Sequence, residues 1–271
     1  MGRFSGYLFA SDLDGTLFDS KKRISDRNKR TIEWFVNEGG LFTIATGRTK
    51  NSSLSVLNAL PINAPALLFQ GTVLWDKREE RSIRTYELDN LDREELIGDL
   101  HRLFPTLGMD VYRLDTSYMV YPSEYGIEHF RIIGEEIKLT PLSEVPEDGW
   151  IKLFFTQEPD ILSRVENYLR ERYGERYGIA FSQAYYLEMF SPKADKASSL
   201  MEVADRMGVS RDKICVAGDH LNDLTMLKAA HYAFVPVNGH PEAKALATRV
   251  VDDNDKGAVA SAIEVLDRLI G

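Results

Sequence analysis

Short apolar runs alternate with segments of helical periodicity along most of this 271-residue chain. The apolar runs 7–11, 41–45 and 66–69 are separated by stretches that predict helices, and the same alternation resumes at Lys196. Strands that alternate with helices form βαβ units, in which the strands run parallel. The pattern therefore predicts an α/β protein with a doubly wound, mainly parallel, Rossmann-like core sheet.

The middle of the chain breaks this alternation. Between residues 109 and 190 the sequence predicts two pairs of short strands, a single strand and one helix. Strand pairs joined by short turns are antiparallel, which is typical of an α+β unit. We expect an α/β core formed by residues 1–82 and 190–271, interrupted by an inserted α+β domain at 83–189.

The composition excludes several classes of protein. Hydrophobic residues make up 44% of the chain and charged residues 28%, which is typical of a globular protein and not of a disordered one. The single cysteine, Cys215, rules out an intramolecular disulfide and favours a reducing compartment. A net charge of −9 argues against a protein that binds nucleic acid through its phosphates.

The sequence contains no membrane-spanning or targeting signal. No stretch approaches the roughly 20 apolar residues of a membrane-spanning helix. The segment 1–6 lacks the apolar run of a signal peptide. We therefore expect a cytoplasmic protein that binds neither membrane nor nucleic acid, and its oligomeric state is left unknown.

Two carboxylates follow the first predicted strand, in the segment Asp12-Leu13-Asp14-Gly15-Thr16. Carboxylates at positions i and i+2 can both face one site where a strand leaves into a turn. Such a pair can bind a divalent cation and divide nucleophilic and acid–base roles between its members. The alternative is an ordinary turn, because Asp-Gly is a common turn dipeptide.

Two further groups have chemistry that suits an anion. Thr46-Gly47-Arg48 follows the second strand, and its hydroxyl, backbone amides and guanidinium can all bind phosphate oxygens. A helix cap is the alternative for this group. Lys196 stands near the positive end of a predicted helix, an unfavourable position that suggests an anionic partner. A solvated surface lysine is the alternative there.

A second acidic group follows the buried strand that contains Cys215. It includes Asp219, Asn222 and Asp223, which suit a hard cation such as Mg²⁺ or, alternatively, cap a helix. Asp12, Thr46 and Asp219 are thus each predicted at the carboxyl end of a strand. Open α/β sheets bind their ligands at that edge, so we expect these groups to form one site.

Taken in order, the four groups resemble the four motifs of the haloacid dehalogenase superfamily. The inserted domain lies between the second and third motifs, as in members that carry a type 2 (C2B-like) cap. The segment 222–227 resembles the Cof-type phosphatases. Gln70 stands where Cof-type sequences usually carry Asn, and His220 stands where they often carry Gly.

The resemblance implies a Mg²⁺-dependent phosphatase that hydrolyses a small phosphorylated metabolite, with a sugar phosphate expected. Asp12 would be the nucleophile that forms an aspartyl-phosphate, and Asp14 would be the general acid and base. The implied phosphate- and substrate-binding residues are Thr46, Gly47, Arg48, Lys196 and Asn222. The implied metal ligands are Asp12, Asp14 through its backbone carbonyl, Asp219, and Asp223, which could instead orient Lys196 or a metal-bound water.

Two other functions stay open at this point. A phosphotransferase or phosphomutase would use the same intermediate and pass the phosphoryl group to a sugar hydroxyl, because water access decides the fate of the intermediate. A non-catalytic sensor would bind phosphorylated ligands without turnover, although this sequence retains every catalytic group of the resemblance.

Overall fold

The structure is a computed structural model that describes residues 2–271; Met1, part of the N-terminal segment considered above, lies outside the described residues. The strands are β1 (Leu8–Ser11), β2 (Leu41–Ile44), β3 (Ala66–Leu68), β4 (Val73–Asp76), β5 (Arg81–Thr85), β6 (Gly108–Tyr112), β7 (Ser117–Tyr121), β8 (Lys152–Thr156), β9 (Gly178–Gln183), β10 (Tyr186–Phe190), β11 (Ile214–Ala217), β12 (Tyr232–Pro236) and β13 (Arg249–Val251). The helices are α1 (Asp26–Asn37), α2 (Lys50–Ala59), α3 (Arg93–Leu103), α4 (Glu124–Ile133), α5 (Pro159–Tyr173), α6 (Lys196–Arg206), α7 (Leu224–Ala229), α8 (Pro241–Lys244) and α9 (Ala258–Ile270). Within the described residues, no helix is both long enough and apolar enough to cross a bilayer.

The described chain divides into two compact units. The α/β unit contains the residues up to Arg48, Ser53–Arg84 and Asp195–Gly271, and the inserted unit contains Thr49–Ser52 and Thr85–Ala194. From the sequence, the boundaries between the two units were predicted at 82/83 and 189/190. The interpretation of these units as a catalytic core and a cap stays a prediction.

The α/β unit is built on a five-stranded sheet with the order β13-β12-β11-β1-β2, in which all neighbours run parallel. Ser11 at the end of β1 pairs with Ala217 on one side and with Ile44 on the other. The carboxyl ends of these three adjacent strands are therefore level with one another. The predicted fold class, with a parallel central sheet, is confirmed.

Apolar side chains cover both faces of this sheet. On one face the ring of Phe9 lies 6.0 Å, between centroids, from each of the rings of Phe35, Phe42 and Phe234. On the other face Leu8 and its neighbours are buried in a second apolar cluster. Because successive side chains of a strand point to opposite faces, β1 is buried on both, which explains its continuous apolar sequence.

Strand β3 differs from the sequence-based expectation. It was expected to continue the parallel sheet, but it pairs antiparallel with β4 in a three-stranded sheet of order β3-β4-β5. A single parallel bridge between Ala45 and Leu67 connects it to the end of β2. The hairpin of β4 and β5 was not predicted, because the run of charged residues 76–81 forms its turn and one end of each short strand.

The inserted unit contains an antiparallel sheet of order β7-β6-β8-β10-β9. Apolar side chains of α3 and α5 pack on one face, including Leu96, Leu100, Leu162, Val165 and Leu169. The sequence analysis did not predict α3 or α4. Their caps were available as signals, because Asp92 accepts a hydrogen bond from the backbone of Glu95 and Ser123 accepts one from that of Gly126.

Candidate active site

The sequence motifs meet at the carboxyl edge of the parallel sheet in the α/β unit. Asp12 directly follows β1, Gly218 directly follows β11, and Thr46 lies two residues beyond β2. These strands are neighbours in the order β11-β1-β2, so residues from distant parts of the chain come together. This is the edge at which open α/β sheets bind ligands.

A glycine permits the tight turn that follows β1. Gly15 has a φ of +80°, and a Cβ atom at this position would lie only 2.4 Å from Oδ2 of Asp219. A residue with a side chain would therefore displace Asp219. The next residue, Thr16, donates its hydroxyl to Oδ1 of Asp219 at 2.8 Å. The turn thus positions an aspartate that lies about 200 residues later in the sequence.

Three carboxylates form an acidic cluster beside this turn. Asp12, Asp219 and Asp223 each contribute one oxygen, and these oxygens all lie within 4.8 Å of one another. Asp12 and Asp223 are buried, and Asp219 is half-buried. Carboxylate oxygens at this spacing are the donors that a hard divalent cation prefers. The chemistry of the donor set fits a metal site.

Lys196 is buried between two of these carboxylates. Its Nζ atom lies 2.8 Å from Oδ1 of Asp12 and 2.7 Å from Oδ1 of Asp223, and the lysine is only 2% exposed. It is the first residue of α6, whose N-cap Asp195 accepts a hydrogen bond from the backbone of Ser198. The buried ion pairs exclude the alternative of a solvated surface lysine.

The crowded carboxylates have perturbed pKa values. Burial raises the pKa of Asp12, and Asp223 and Asp219 raise it further, although Lys196 opposes them. Burial also raises the pKa of Asp219 to about 6, against the lowering effect of the hydrogen bond from Thr16. A cation in the cluster would favour the ionised form of both groups.

The side chain of Asp14 is bound by two cations, Arg48 and Lys22. Arg48 binds it in a bidentate pair, with Nε 2.7 Å from Oδ2 and Nη2 2.8 Å from Oδ1, and Nζ of Lys22 lies 2.5 Å from Oδ1. Partial burial alone would raise the pKa of Asp14, but Arg48 and Lys22 together outweigh it and lower the pKa to about 2. The sequence singled out Asp14 and Arg48 but not their pairing, and it missed Lys22.

Asp223 is held by hydrogen bonds on both oxygens. Oδ2 accepts from the backbone amides of Asp219 at 2.9 Å and His220 at 3.1 Å, while Oδ1 accepts from Lys196. Its carboxylate therefore fixes the loop after β11 and orients the lysine. These are the contacts expected of a residue that orients Lys196, and a direct role of Asp223 at a metal stays a prediction.

The remaining predicted binding residues lie around the loop after β2. Thr46 is buried, and its hydroxyl accepts a hydrogen bond from the backbone of Arg48 at 3.1 Å. Asn222 is exposed and donates its amide to Oε1 of Gln70 at 3.4 Å. The amide of Gln70 also lies against Gly47. The sequence analysis noted Gln70 only as a departure from a family pattern and did not place it in the site.

Comparison with known proteins identifies the family of this chain. The sequence profile of haloacid dehalogenase-like hydrolases matches residues 9–263. The 5-amino-6-(5-phospho-D-ribitylamino)uracil phosphatase YitU of Bacillus subtilis is 27% identical over 260 residues, which cover 94% of this chain and 95% of YitU. The HMP-PP phosphatase of an Enterobacter species is 26% identical over 241 residues, which cover 87% of this chain and 85% of that protein.

Solved structures show the same fold. A crystal structure of a haloacid dehalogenase-like hydrolase from Bacteroides thetaiotaomicron has a TM-score of 0.88 and 26% identity, covering 96% of this chain and 99% of that one. An X-ray structure of a protein from Thermotoga maritima has a TM-score of 0.86 at 26% identity, covering 96% and 97%. The chain belongs to the haloacid dehalogenase-like hydrolase family and, as its motifs predicted, is a Cof-type phosphomonoester hydrolase.

Proposed function

We propose that this protein is a Mg²⁺-dependent phosphatase that hydrolyses a small phosphorylated metabolite, with sugar phosphates as its first candidates. The observation that carries the proposal is the group of buried Asp12, Lys196 and Asp223 with half-buried Asp219 at the carboxyl edge of the sheet. In this group the carboxylate of Asp12, the proposed nucleophile, lies beside the buried cation of Lys196 and near the carboxylates of Asp219 and Asp223. Such a site suits phosphoryl transfer, in which catalysis is mostly positioning and charge stabilisation.

Asp12 is the proposed nucleophile. A carboxylate oxygen of Asp12 attacks phosphorus, the bond from phosphorus to the ester oxygen breaks, and an aspartyl-phosphate forms. Asp14 donates a proton to the departing oxygen and then accepts a proton from the water that attacks phosphorus. The second attack releases inorganic phosphate and restores the Asp12 carboxylate.

Arg48 links phosphate binding to the acid–base residue. In the free protein its guanidinium is occupied by Asp14. A phosphoryl group that enters the site is a second anion for the same guanidinium, and their competition would loosen the pair. Asp14, which Lys22 still binds, would then face one cation fewer, and its pKa would rise toward a value at which it can carry the proton that the departing oxygen needs.

The other predicted residues bind the phosphoryl group and the metal. Lys196 and the Thr46 hydroxyl would contact phosphoryl oxygens, together with the Gly47 amide and Asn222. Mg²⁺ would be held by the carboxylates of Asp12 and Asp219 and the backbone carbonyl of Asp14, with Asp223 beside them. When bound, Mg²⁺ would offset the negative charges of the Asp12 carboxylate and of the phosphoryl oxygens.

The names of the relatives support a small substrate. One relative is named a phosphatase of 5-amino-6-(5-phospho-D-ribitylamino)uracil, and another an HMP-PP phosphatase. We extend this to a small phosphorylated metabolite for the present chain. A cytoplasmic location and the absence of nucleic-acid and membrane partners belong to the same proposal.

Phosphate release from sugar, nucleotide and cofactor phosphates, with Mg²⁺ and with EDTA, tests the proposal. Asp12→Asn should reduce release about a thousandfold or more. The matched control is Asp253→Asn, which neutralises an exposed ion pair with Lys256 and should leave the rate unchanged. Full activity of Asp12→Asn would refute the role of Asp12. If the phosphoryl group were transferred to an added sugar and no free phosphate were released, the reaction would be phosphotransfer and not hydrolysis.

A further inference from the structure

Three consecutive residues after β3 adopt left-handed backbone conformations. Phe69, Gln70 and Gly71 have φ values of +50°, +57° and +89°. Only glycine adopts such values readily, so two of these three residues are strained. Strain of this kind persists where the surrounding structure imposes it, and it occurs preferentially at ligand-binding sites.

Hydrogen bonds attach this loop to the proposed phosphate site. The backbone amide of Phe69 donates to the carbonyl of Arg48 at 3.0 Å, and that of Gln70 donates to the carbonyl of Thr46 at 2.9 Å. Both acceptors belong to the segment that follows β2. The strained loop is therefore fixed directly against the residues proposed to bind the phosphoryl group.

The other side of the loop packs against the start of α6. A Cβ atom on Gly71 would lie 2.6 Å from the carbonyl oxygen of Asp195, the residue before Lys196. The Ser199 hydroxyl donates to the carbonyl of Gly71 at 2.7 Å. With both sides held, the loop has no room to relax, and this explains how the strain at Gln70 is maintained.

The side chain of Gln70 lies between two proposed substrate-binding residues. Its Nε2 atom is 2.4 Å from the position that a Cβ atom on Gly47 would occupy, so glycine makes room for the amide. Its Oε1 atom accepts the hydrogen bond from Asn222. No acceptor atom within residues 2–271 receives a hydrogen bond from Nε2 of Gln70. A half-buried amide group thus keeps its donor capacity at the edge of the site.

We propose that Gln70 is a substrate-binding residue whose Nε2 donates to an oxygen of the phosphoryl group, beside the amide of Asn222. This inference rests on the proposed function and adds a residue to that site. A neutral amide suits the place, because it can bind an oxyanion without adding a third cation to Lys196 and Arg48. The strained backbone directs this amide over Gly47.

Gln70→Gly separates substrate binding from a purely structural role. Glycine adopts the same φ without strain, so the variant should be at least as stable as the wild type. We expect kcat/KM for the best phosphate ester to fall about 10- to 100-fold, the usual effect of a lost hydrogen bond to a charged group. The matched control is Glu80→Gly, which relieves a similar φ of +50° at an exposed turn and should leave kcat/KM unchanged.

A second variant keeps the shape of the side chain. Gln70→Glu replaces the donor by a carboxylate, and it should weaken inhibition by inorganic phosphate at least about 10-fold through repulsion. Unchanged kcat/KM in Gln70→Gly, or unchanged phosphate inhibition in Gln70→Glu, would overturn the inference while wild-type activity upholds the proposed function. A wild-type protein that releases phosphate from no ester would overturn both.

Discussion

Replacement of Lys196 by methionine should strongly destabilise the α/β unit. Methionine fills a similar space with a flexible apolar chain, so packing is largely retained while the charge is lost. The side chains of Lys196, Asp12 and Asp223 are 1%, 8% and 1% exposed, and the two ion pairs are 2.8 Å and 2.7 Å long. The substitution therefore leaves two buried carboxylates without their cation.

The magnitude follows from this burial. Removing one partner of a buried ion pair costs about 3–5 kcal/mol, because the other charge stays desolvated. Breaking an exposed pair costs about 0–1 kcal/mol, because water replaces the partner. Burial already raises the pKa of Asp12. Asp12 can therefore take up a proton, which limits the free-energy cost of leaving two carboxylates without a cation. At about 2–4 °C per kcal/mol, we expect Tm to fall by roughly 6–20 °C.

Thermal unfolding followed by circular dichroism in EDTA measures this loss without metal. The matched control is Lys256→Met, which breaks a pair of similar length, 2.9 Å, in which the lysine side chain is 72% exposed. The control should change the free energy of unfolding by less than about 1 kcal/mol. If Lys196→Met unfolded within a degree or two of the control, the reasoning from burial would be refuted.

Three further predictions concern other parts of the molecule. Burial lowers the pKa of His129 to about 3 from its usual 6.5. Between these two pH values the unfolded chain therefore binds a proton that the folded chain does not. The free energy of unfolding should fall as pH drops below about 6.5, by about 1 kcal/mol per pH unit. His129→Phe should reduce this pH dependence in urea unfolding at pH 7 and pH 5, and identical slopes would contradict the assignment. Gly15→Ala should displace Asp219, so that about 10-fold more Mg²⁺ is needed for the same rise in Tm. The control Gly6→Ala, at a similar φ of +82° but facing the end of the Lys213 side chain, should leave the Mg²⁺ requirement unchanged. Equal Mg²⁺ responses of the two variants would argue against Asp219 as a ligand. Asn28→Ala should cost about 2–4 kcal/mol in urea unfolding, because buried Asn28 donates to the carbonyl of Leu17 at 3.0 Å and accepts from the amide of Ala260 at 2.9 Å; a loss below about 1 kcal/mol would show that water replaces both bonds.

Local patterns were enough to predict much of the fold. The apolar runs before Asp12 and Gly218 are continuous because their strands are buried on both faces, and this makes them recognisable in sequence. The helices α3 and α4 were missed although both begin with capping residues. The hairpin of β4 and β5 was missed because its charged turn contains no periodic pattern.

The site shows the same division between local and distant information. The sequence singled out Asp12, Asp14, Lys196 and Asp219 by residue type and by position at strand or helix ends. The pairing of Asp14 with Arg48 and the place of Gln70 over Gly47 were not foreseeable. Each joins segments whose distance in space depends on how strands pack, and not on the spacing of residues along the chain.

Hydrophobic periodicity and motif spacing are properties of neighbouring residues, so the alternation of strands and helices and the order and chemistry of the motifs could be predicted from the sequence. The positions of Asp12 and Asp219 at strand ends predicted a shared site, but their carboxylates lie within 4.8 Å of each other because β1 and β11 are adjacent in the sheet, and this adjacency is a property of the tertiary structure. The tertiary structure also decided that Lys196 is a buried cation and not a solvated one. The charge state and the energy of such a group depend on its desolvation and its partners, and long-range packing alone supplies both.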